Sequence, residues 1–391
     1  MIVNVQRKEL LMQTRKVARA APSLHSTKEL RGIFFETDES SGIVRMTSTD
    51  FSVAIRSALP ASIERSGGVI VDTKLLIGML DLLSGDEVYM ELLENGRLYV
   101  TANKTKYEVA VIPGKNYPKV DIPFPGDTIS IKGLRTLISQ SAFAAQKAGA
   151  QNAVYTCVNL IVTQSGAWAI ATDCSGCIVQ VKGDPECRGN LSLLIPASSL
   201  SMLASLSTDD DVYELGVTGN NGISKNVVFS DGSILFSAKL ITGEFIDTNK
   251  LFSSVVPKSQ GYVAAEEMYN LLGTIDSLAA SNDRVEISFG DDELLLSCKS
   301  DSGGFSGRIK VDGVTANADK FYYIPKKVTQ CFRGLKGKVL LSFGEDGNMV
   351  IQSNTVRSFI ARVRAPVIEA PKAKEKKPKK EDESQIRDAA A

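Results

Sequence analysis

The sequence offers few side chains of the kinds that catalyse reactions. Its only histidine is His25, so neither a histidine metal cluster nor a Ser-His-Asp set stands out. No phosphate-binding loop of the form G-x-x-x-x-G-K-[ST] occurs, and no G-x-G-x-x-G follows a predicted strand. We therefore expect no catalytic residue, no cofactor and a protein that is not an enzyme.

The segment Cys174-Ser175-Gly176-Cys177 matches C-x-x-C, a pattern typical of zinc and redox sites. A structural zinc site needs two more ligands, and neither His25 nor Cys187 provides a second close pair. Six scattered cysteines in 391 residues instead favour reduced, partly buried thiols. No run of 18 apolar residues occurs. These features predict no metal site, no membrane segment and a cytoplasmic location.

The C-x-x-C segment belongs to a pattern that recurs along the chain. An apolar run, a small polar turn and an alternating run indicate a β-hairpin at 167–182. The same shape occurs at 43–58 and, more weakly, at 293–311. The turn aspartates Asp50, Asp173 and Asp301 stand about 125 residues apart, which is one domain length. The chain is therefore predicted to contain one unit three times, with the aspartates shaping turns rather than binding metal.

Each unit is predicted to be an α+β layer, an antiparallel sheet with two helices on one face. Predicted strands and helices follow one another in the same order in all three units. The helices are identified by apolar residues at helical spacing. The predicted helices are Glu9–Ala21, Thr73–Leu83, Leu134–Lys147, Ser198–Leu206, Ala265–Ala280 and Lys326–Leu335.

Turn-rich connectors set the predicted boundaries at residues 1–125, 126–253 and 254–366. Residues 367–391 carry seven basic and six acidic residues and almost no apolar ones, a composition that predicts disorder. Two roles stay open for this tail, a solubilising segment and a weak contact with nucleic acid or a partner protein.

Charge placement is more informative than total charge, since 45 basic residues balance 45 acidic ones. Several predicted helices carry basic residues, which form either an ordinary solvated face or a surface that meets phosphates. The helix 265–280 argues against the second interpretation because it contains acidic residues and no Lys or Arg. The candidate DNA-binding residues are Arg15, Lys16, Arg19, Lys74, Lys132, Arg135, Lys147, Lys326, Lys327 and Arg333.

The order of these motifs resembles the bacterial sliding clamp, the beta subunit of the replicative DNA polymerase III holoenzyme. The resemblance covers residues 1–366 and rests on the threefold unit and three local matches. These matches are Ala171-Thr172-Asp173, the segment from Phe236 to Asp247, and the ending Val363-Arg364.

The resemblance implies a DNA-clamp fold and a head-to-tail homodimer ring of six units around duplex DNA, with helices inside and sheets outside. Such a ring binds DNA without sequence preference, tethers the polymerase and so confers processivity. It meets the polymerase and the clamp loader through short linear peptides. Ring closure would use Ile70 and the strand 106–112 in unit one, and residues 271–281 with their neighbouring strand in unit three. The alternative is a repeat protein that binds small ligands or peptides in grooves between its units.

The resemblance also implies a peptide pocket between units two and three. Carried over by position, it would use Tyr155, Thr172, Cys174, Ser175, Gly176, Cys177, Ile246, Lys250, Leu251, Ile360, Ala361, Arg362, Val363 and Arg364. This chain departs from the family at 174–177, where Gly-His-Arg-Leu is usual, at Ile246, where Pro is usual, and at 362–363, where Pro-Met is usual. We therefore expect a pocket whose peptide preference differs from the common one.

Overall fold

The computed structural model describes residues 1–220, 223–280, 283–300, 303–315 and 320–365. In these ranges the helices are α1 Arg7–Val17, α2 Thr73–Leu82, α3 Leu134–Ser139, α4 Ala197–Leu206, α5 Thr248–Ser254, α6 Ala265–Leu278 and α7 Pro325–Phe332.

The strands of unit one are β1 Ile2–Gln6, β2 Gly32–Asp38, β3 Ile43–Thr49, β4 Val53–Pro60, β5 Ser62–Arg65, β6 Gly67–Asp72, β7 Glu87–Leu92, β8 Arg97–Ala102, β9 Thr105–Ala110 and β10 Ile112–Pro113. Those of unit two are β11 Ile129–Lys132, β12 Cys157–Thr163, β13 Gly166–Thr172, β14 Cys177–Lys182, β15 Leu191–Pro196, β16 Val212–Asn220, β17 Ile223–Ser230 and β18 Ile234–Lys239. Those of unit three are β19 Pro257–Ala264, β20 Val285–Phe289, β21 Glu293–Ser300, β22 Gly303–Asp312, β23 Phe321–Tyr323, β24 Lys338–Gly344, β25 Met349–Gln352 and β26 Val356–Ile360.

Each unit is itself built from two halves with the order strand, helix, three strands. In unit two these halves are β11-α3-β12-β13-β14 and β15-α4-β16-β17-β18. The first strand of each half pairs with the other half, so that β11 joins β16 and β15 joins β12. Because the strands are exchanged in this way, neither half can form its own complete sheet. The unit is therefore the folding element that recurs.

Two antiparallel ladders join neighbouring units. Strand β4 of unit one pairs with β18 of unit two, and β14 of unit two pairs with β26 of unit three. The result is a nine-stranded sheet across the first boundary and a twelve-stranded sheet across the second, beside a five-stranded sheet in unit one. The α+β class and the antiparallel sheets predicted from the sequence are confirmed.

The helices pack in pairs within each unit, α1 with α2, α3 with α4, and α6 with α7. Helix α2 begins as predicted, because Asp72 Oδ1 accepts the Leu75 amide at 3.0 Å. Its buried face consists of Leu76, Met79 and Leu80. Burial of such a face, rather than helix propensity alone, stabilises short helices.

The predicted turn role of the aspartates is confirmed at two positions. Asp50 Oδ1 accepts the amides of Ser52 and Val53 at 2.8 and 2.7 Å. Asp173 Oδ1 accepts the amides of Ser175 and Cys177 at 3.0 and 2.9 Å. Asp301, the third aspartate of the pattern, lies outside the described residues, as does the predicted tail.

Three local predictions were wrong. Helix α3 ends at Ser139 instead of Lys147, since the Ser141 hydroxyl donates to the Leu137 carbonyl at 2.8 Å and the chain continues in a 3₁₀ turn. Helix α5 lies in a segment that was predicted to be a connector. Ile70 is not on an edge, because β6 lies between β2 and β10.

Candidate functional site

The boundary between units two and three carries most of the candidate pocket. In the ladder between β14 and β26, Ile178 lies opposite Phe359 and Cys177 lies opposite Ile360. Since side chains alternate along a strand, these two pairs face opposite sides of the sheet. Ile178 and Phe359 belong to a small apolar cluster with α5, on the side that we call the outer face.

Helix α5 covers the outer face through one aromatic side chain. Phe252 is only 1% exposed and packs with Ile170, Ile178 and Val350, which come from three different strands. The guanidinium carbon of Arg357 lies 4.5 Å from the centroid of its ring, a cation–π arrangement. The connector between units two and three is therefore fixed to both units at once.

The predicted residues around α5 form an exposed margin to this cluster. Ile246 is half-buried and packs against the cluster, while Leu251 is 38% exposed beside it. Lys250 is exposed and its Nζ lies 3.7 Å from Asp247 Oδ2. A ligand could therefore contact apolar side chains of this margin while the buried cluster stays closed.

Three predicted pocket residues do not line this surface. Cys177 and Ile360 are buried in the main core, so a ligand on the outer face cannot reach their side chains. Thr172 is also buried, and its hydroxyl donates to the Cys177 carbonyl at 2.9 Å. The positions that the sequence interpretation missed are Ile178 and Phe359. The alternation of side chains along β14 and β26 could have indicated that they share a face. The sequence does not give the register of the ladder, however, and the register decides which face that is.

A first cavity lies beside the hairpin between β13 and β14. It has a volume of about 760 Å³ and is lined by the loop 145–152, Tyr155, Cys174 and Ser175. Gln146 closes one wall, because its Nε2 donates to the Asp173 carbonyl at 2.8 Å. The neighbouring Cys174 thiol raises the pKa of the Tyr155 hydroxyl. Three predicted pocket residues thus meet around one space.

A second cavity of about 480 Å³ lies at the end of the described chain, and it brings together the predicted residues at 362–364. Its other wall is the segment 320–322, to which Val363 is joined by a hydrogen bond from its amide to the Tyr322 carbonyl at 2.7 Å. Arg362 and Arg364 are exposed here. Ala361 joins this end of the chain to the hairpin, since its amide donates to the Gly176 carbonyl at 2.8 Å.

The hairpin is bound to unit three by an ion pair. Lys327 Nζ lies 2.5 Å from Asp173 Oδ2, and the two side chains are 23% and 19% exposed. Burial raises the pKa of Asp173, but Lys327 and the amides of Ser175 and Cys177 outweigh burial and hold the pKa below its ordinary value. Gly176 has φ of +138°, and a Cβ there would lie 3.3 Å from the Ala361 Cβ, so this turn favours glycine.

Two thiols meet beneath the hairpin. Cys177 Sγ lies 3.8 Å from Cys331 Sγ, both cysteines are buried, and neither forms a disulfide. Contact with Cys331 and burial raise the pKa of the Cys177 thiol. Cys174, the other cysteine of the C-x-x-C segment, is exposed. Among the described residues no group of three or more His, Cys, Asp or Glu side chains could hold a metal ion.

The ten candidate DNA-binding residues fall into two groups. Three have carboxylate partners: Arg15 with Asp81, Lys16 with Asp231, and Lys327 with Asp173. The Lys16 pair crosses the boundary between units one and two, so both boundaries carry such a link. In the part of the chain that the structure describes, the other seven are exposed and no ion pair is recorded for them: Arg19, Lys74, Lys132, Arg135, Lys147, Lys326 and Arg333.

Within the described ranges, no helix has the length and apolar composition needed to cross a membrane.

Comparison with known proteins supports the resemblance inferred from the sequence. Residues 1–121 match the family model described as DNA polymerase III beta subunit, N-terminal domain. The beta sliding clamp of Staphylococcus aureus is 22% identical over 312 residues, covering 76% of this chain and 80% of the relative. That of Staphylococcus epidermidis is 23% identical over 284 residues, covering 69% and 73%.

Solved structures share the fold. The DNA polymerase sliding clamp of Bacillus subtilis matches with a TM-score of 0.85 at 21% identity, covering 94% of this chain and all of that one. The sliding clamp of Pseudomonas aeruginosa bound to griselimycin matches with a TM-score of 0.82 at 15% identity, covering 93% and 100%. Residues 1–121 are therefore similar to the N-terminal domain of the DNA polymerase III beta subunits, and the chain has the fold of the bacterial beta sliding clamps.

Proposed function

We propose that two copies of this chain form a ring that encircles duplex DNA and tethers the replicative polymerase and other DNA-processing proteins. The observation that carries this proposal is the rule by which units join. The last strand of the first half of a unit pairs with the last strand of the next unit, as β4 with β18 and β14 with β26. A second copy can continue the same rule.

Two strands occupy positions that this rule would pair, but the partner of each would have to come from another copy of the chain. Within the described residues, strand β9 of unit one pairs only with β8, and β22 of unit three pairs with β21 and, at two residues, with β19. Partly buried apolar side chains accompany both strands, Tyr107 and Val109 on one and Phe305 on the other. Unpaired edges with apolar neighbours are templates for strand pairing with another chain. Head-to-tail pairing of β22 with β9 would give six units around one axis.

The proposed ring binds DNA through charge and not through base recognition. The seven exposed cations that form no ion pair among the described residues supply attraction to phosphates, which is sequence-independent and weakened by salt. A chain with equal numbers of basic and acidic residues limits the strength of that attraction, so that the ring can slide. The proposal includes no catalytic residue, no cofactor, no membrane association and a cytoplasmic location.

The proposed peptide site is the outer face at the boundary between units two and three, with its two cavities. Ile246, Leu251 and Phe359 supply apolar surface for an anchor residue, and Arg364 and the hairpin supply polar groups. Such a combination is typical of sites that bind short linear peptides. The polymerase and the clamp loader are the proposed partners. The comparisons give no support to the alternative of a repeat protein that binds small ligands.

The test combines assembly with topology. Sedimentation velocity at micromolar concentration should give a dimer, and the double variant Tyr107→Asp and Phe305→Asp should give a folded monomer. After loading by a clamp loader, the wild-type protein should stay on circular DNA and leave once the DNA is linearised. A wild-type chain that sediments only as monomer, or that is retained equally on linear DNA, contradicts the proposal.

A further inference from the structure

The carboxylate of Asp173 joins segments that are distant in the sequence. Its Oδ1 shapes the hairpin by accepting two amides, while its Oδ2 lies 2.5 Å from Lys327 Nζ on α7 of unit three. The Asp173 carbonyl accepts Gln146 Nε2 at 2.8 Å, from the loop that forms the opposite wall of the larger cavity. One residue therefore connects the hairpin, the cavity wall and the next unit.

The boundary between units one and two provides an internal comparison. There the backbone contact is preserved, since the Lys239 amide donates to the Ser52 carbonyl at 2.9 Å as the Ala361 amide donates to the Gly176 carbonyl. Asp50 shapes its turn in the same manner as Asp173. The ion pairs recorded for the described residues do not include Asp50.

The sequence explains why Asp50 has no such ion pair among the described residues. Counted from Pro196 and Pro325, which stand at corresponding helix entries, Ser198 of α4 occupies the position of Lys327. Helix α4, Ala197–Leu206, contains no Lys or Arg at all. The cross-boundary ion pair at the hairpin is thus present where the candidate peptide site lies and is missing at the corresponding hairpin of unit one. Turn formation alone does not require the pair, because Asp50 forms its turn without it.

We propose that Lys327 is a positioning residue for the peptide site: it holds the hairpin through Asp173 so that Cys174 and Ser175 form the wall of the larger cavity. This inference rests on the proposed function and assigns Lys327 a role other than contact with DNA phosphates. It also makes the peptide site depend on the docking of unit three, since the hairpin belongs to unit two and α7 to unit three.

The contacts around the Lys327–Asp173 ion pair explain why its loss would loosen the hairpin that lines the larger cavity. The exposed hairpin residues Cys174 and Ser175 contribute no buried apolar side chain to hold them in place. The hairpin is instead held by the Gly176–Ala361 backbone bond, the Gln146 bond and the ion pair. Removing one of these restraints leaves the turn intact but less restricted in position, so a ligand must order it on binding and binds less tightly.

The experiment measures peptide affinity and hairpin protection in the full chain. A fluorescently labelled C-terminal peptide of the replicative polymerase serves as the probe, and native-state hydrogen exchange reports on the amides of Ser175 and Cys177. Lys327→Met, which keeps most of the side-chain stem, should weaken peptide binding about tenfold, a size typical of coupling between sites, and should speed exchange at both amides. Asp173→Asn keeps an oxygen for the turn and should have the same effect.

Three controls separate positioning from other causes. Lys327→Arg should restore protection and affinity, since it restores the charge. Lys326→Met removes the exposed neighbouring charge on α7 and should change neither, and Asp50→Asn, in the hairpin without a cation, should leave peptide affinity unchanged. Wild-type protein that does not bind the peptide would refute the proposed function. Wild-type binding with unchanged affinity or unchanged exchange in Lys327→Met would refute the positioning role.

Discussion

Ile178 of unit two and Phe359 of unit three lie opposite each other in the β14–β26 ladder, and both contribute to the apolar cluster beneath α5. This pair makes the outer face continuous across a unit boundary. A ligand anchored beside it would contact both units and the connector between them, so its affinity would depend on how units two and three dock.

The exposed side of α5 is expected to determine peptide affinity. Leu251→Asp should lower the affinity for a polymerase C-terminal peptide by well over tenfold, because a buried apolar anchor contact at a hot spot is worth about 2 kcal/mol or more. Leu251 is exposed in the free chain, so thermal stability should change little. Ser253→Asp adds the same charge to the same helix and serves as the matched control. Fluorescence titration that gives equal affinities for both variants would locate the peptide site elsewhere.

The buried side of α5 is expected to determine how firmly the connector is held. Phe252→Ala should cost about 3–5 kcal/mol, the range for removal of a buried aromatic ring, and also leaves Arg357 without its ring contact. Leu251→Ala, one residue away and exposed, should cost under about 0.5 kcal/mol. Urea unfolding followed by circular dichroism compares the two. Equal midpoints would show that the cluster around Phe252 does not contribute to stability.

Charge reversal on the helices should change how DNA binding depends on salt. Arg19, Lys74 and Arg135 are exposed and form no ion pair with any other described residue, so replacing all three by Glu should weaken retention on DNA and flatten the salt dependence. The slope of log Kobs against log salt should shrink by about 0.9 for each phosphate contact that is lost. The triple reversal of Lys104, Lys225 and Lys299, which lie on strands or strand turns, changes the net charge equally and controls for it. Identical slopes for the two triple variants would mean that the helix side chains do not meet the phosphates.

Thiol labelling should report on the closed boundary between units two and three. Cys174 alone of the six cysteines is exposed, so one thiol per chain should react quickly with a disulfide reagent at pH 8. Burial raises the pKa of Cys157 and of Cys187 to about 11 each, and burial and Cys331 raise that of Cys177. Only thiolates attack, so the slow thiols should react faster as pH rises toward 11 and all six should react in urea. Rapid native labelling of Cys177 or Cys331 would contradict the packing at this boundary.

Local patterns in the sequence were enough to predict the order of elements and the turns. Asp50 and Asp173 bond to amides two to four residues away, and Asp72 caps the helix that follows it. Such contacts depend only on neighbouring residue types, which is why the repeat and the α+β class could be predicted without a structure. The early end of α3 was missed because Ser141 competes for carbonyls that a helical pattern alone does not take into account.

The tertiary structure decided which side of a strand faces the site and which charges are already paired. Cys177 and Ile360 are core residues, and Ile178 and Phe359 lie on the outer face, because the β14–β26 register sets the direction of every side chain along both strands. The sequence marked Lys327 as one more basic helix residue, whereas its ammonium group lies against Asp173, 154 positions earlier in the chain. Neither result follows from local spacing, since each depends on how units two and three dock and on the burial of the groups that docking brings together.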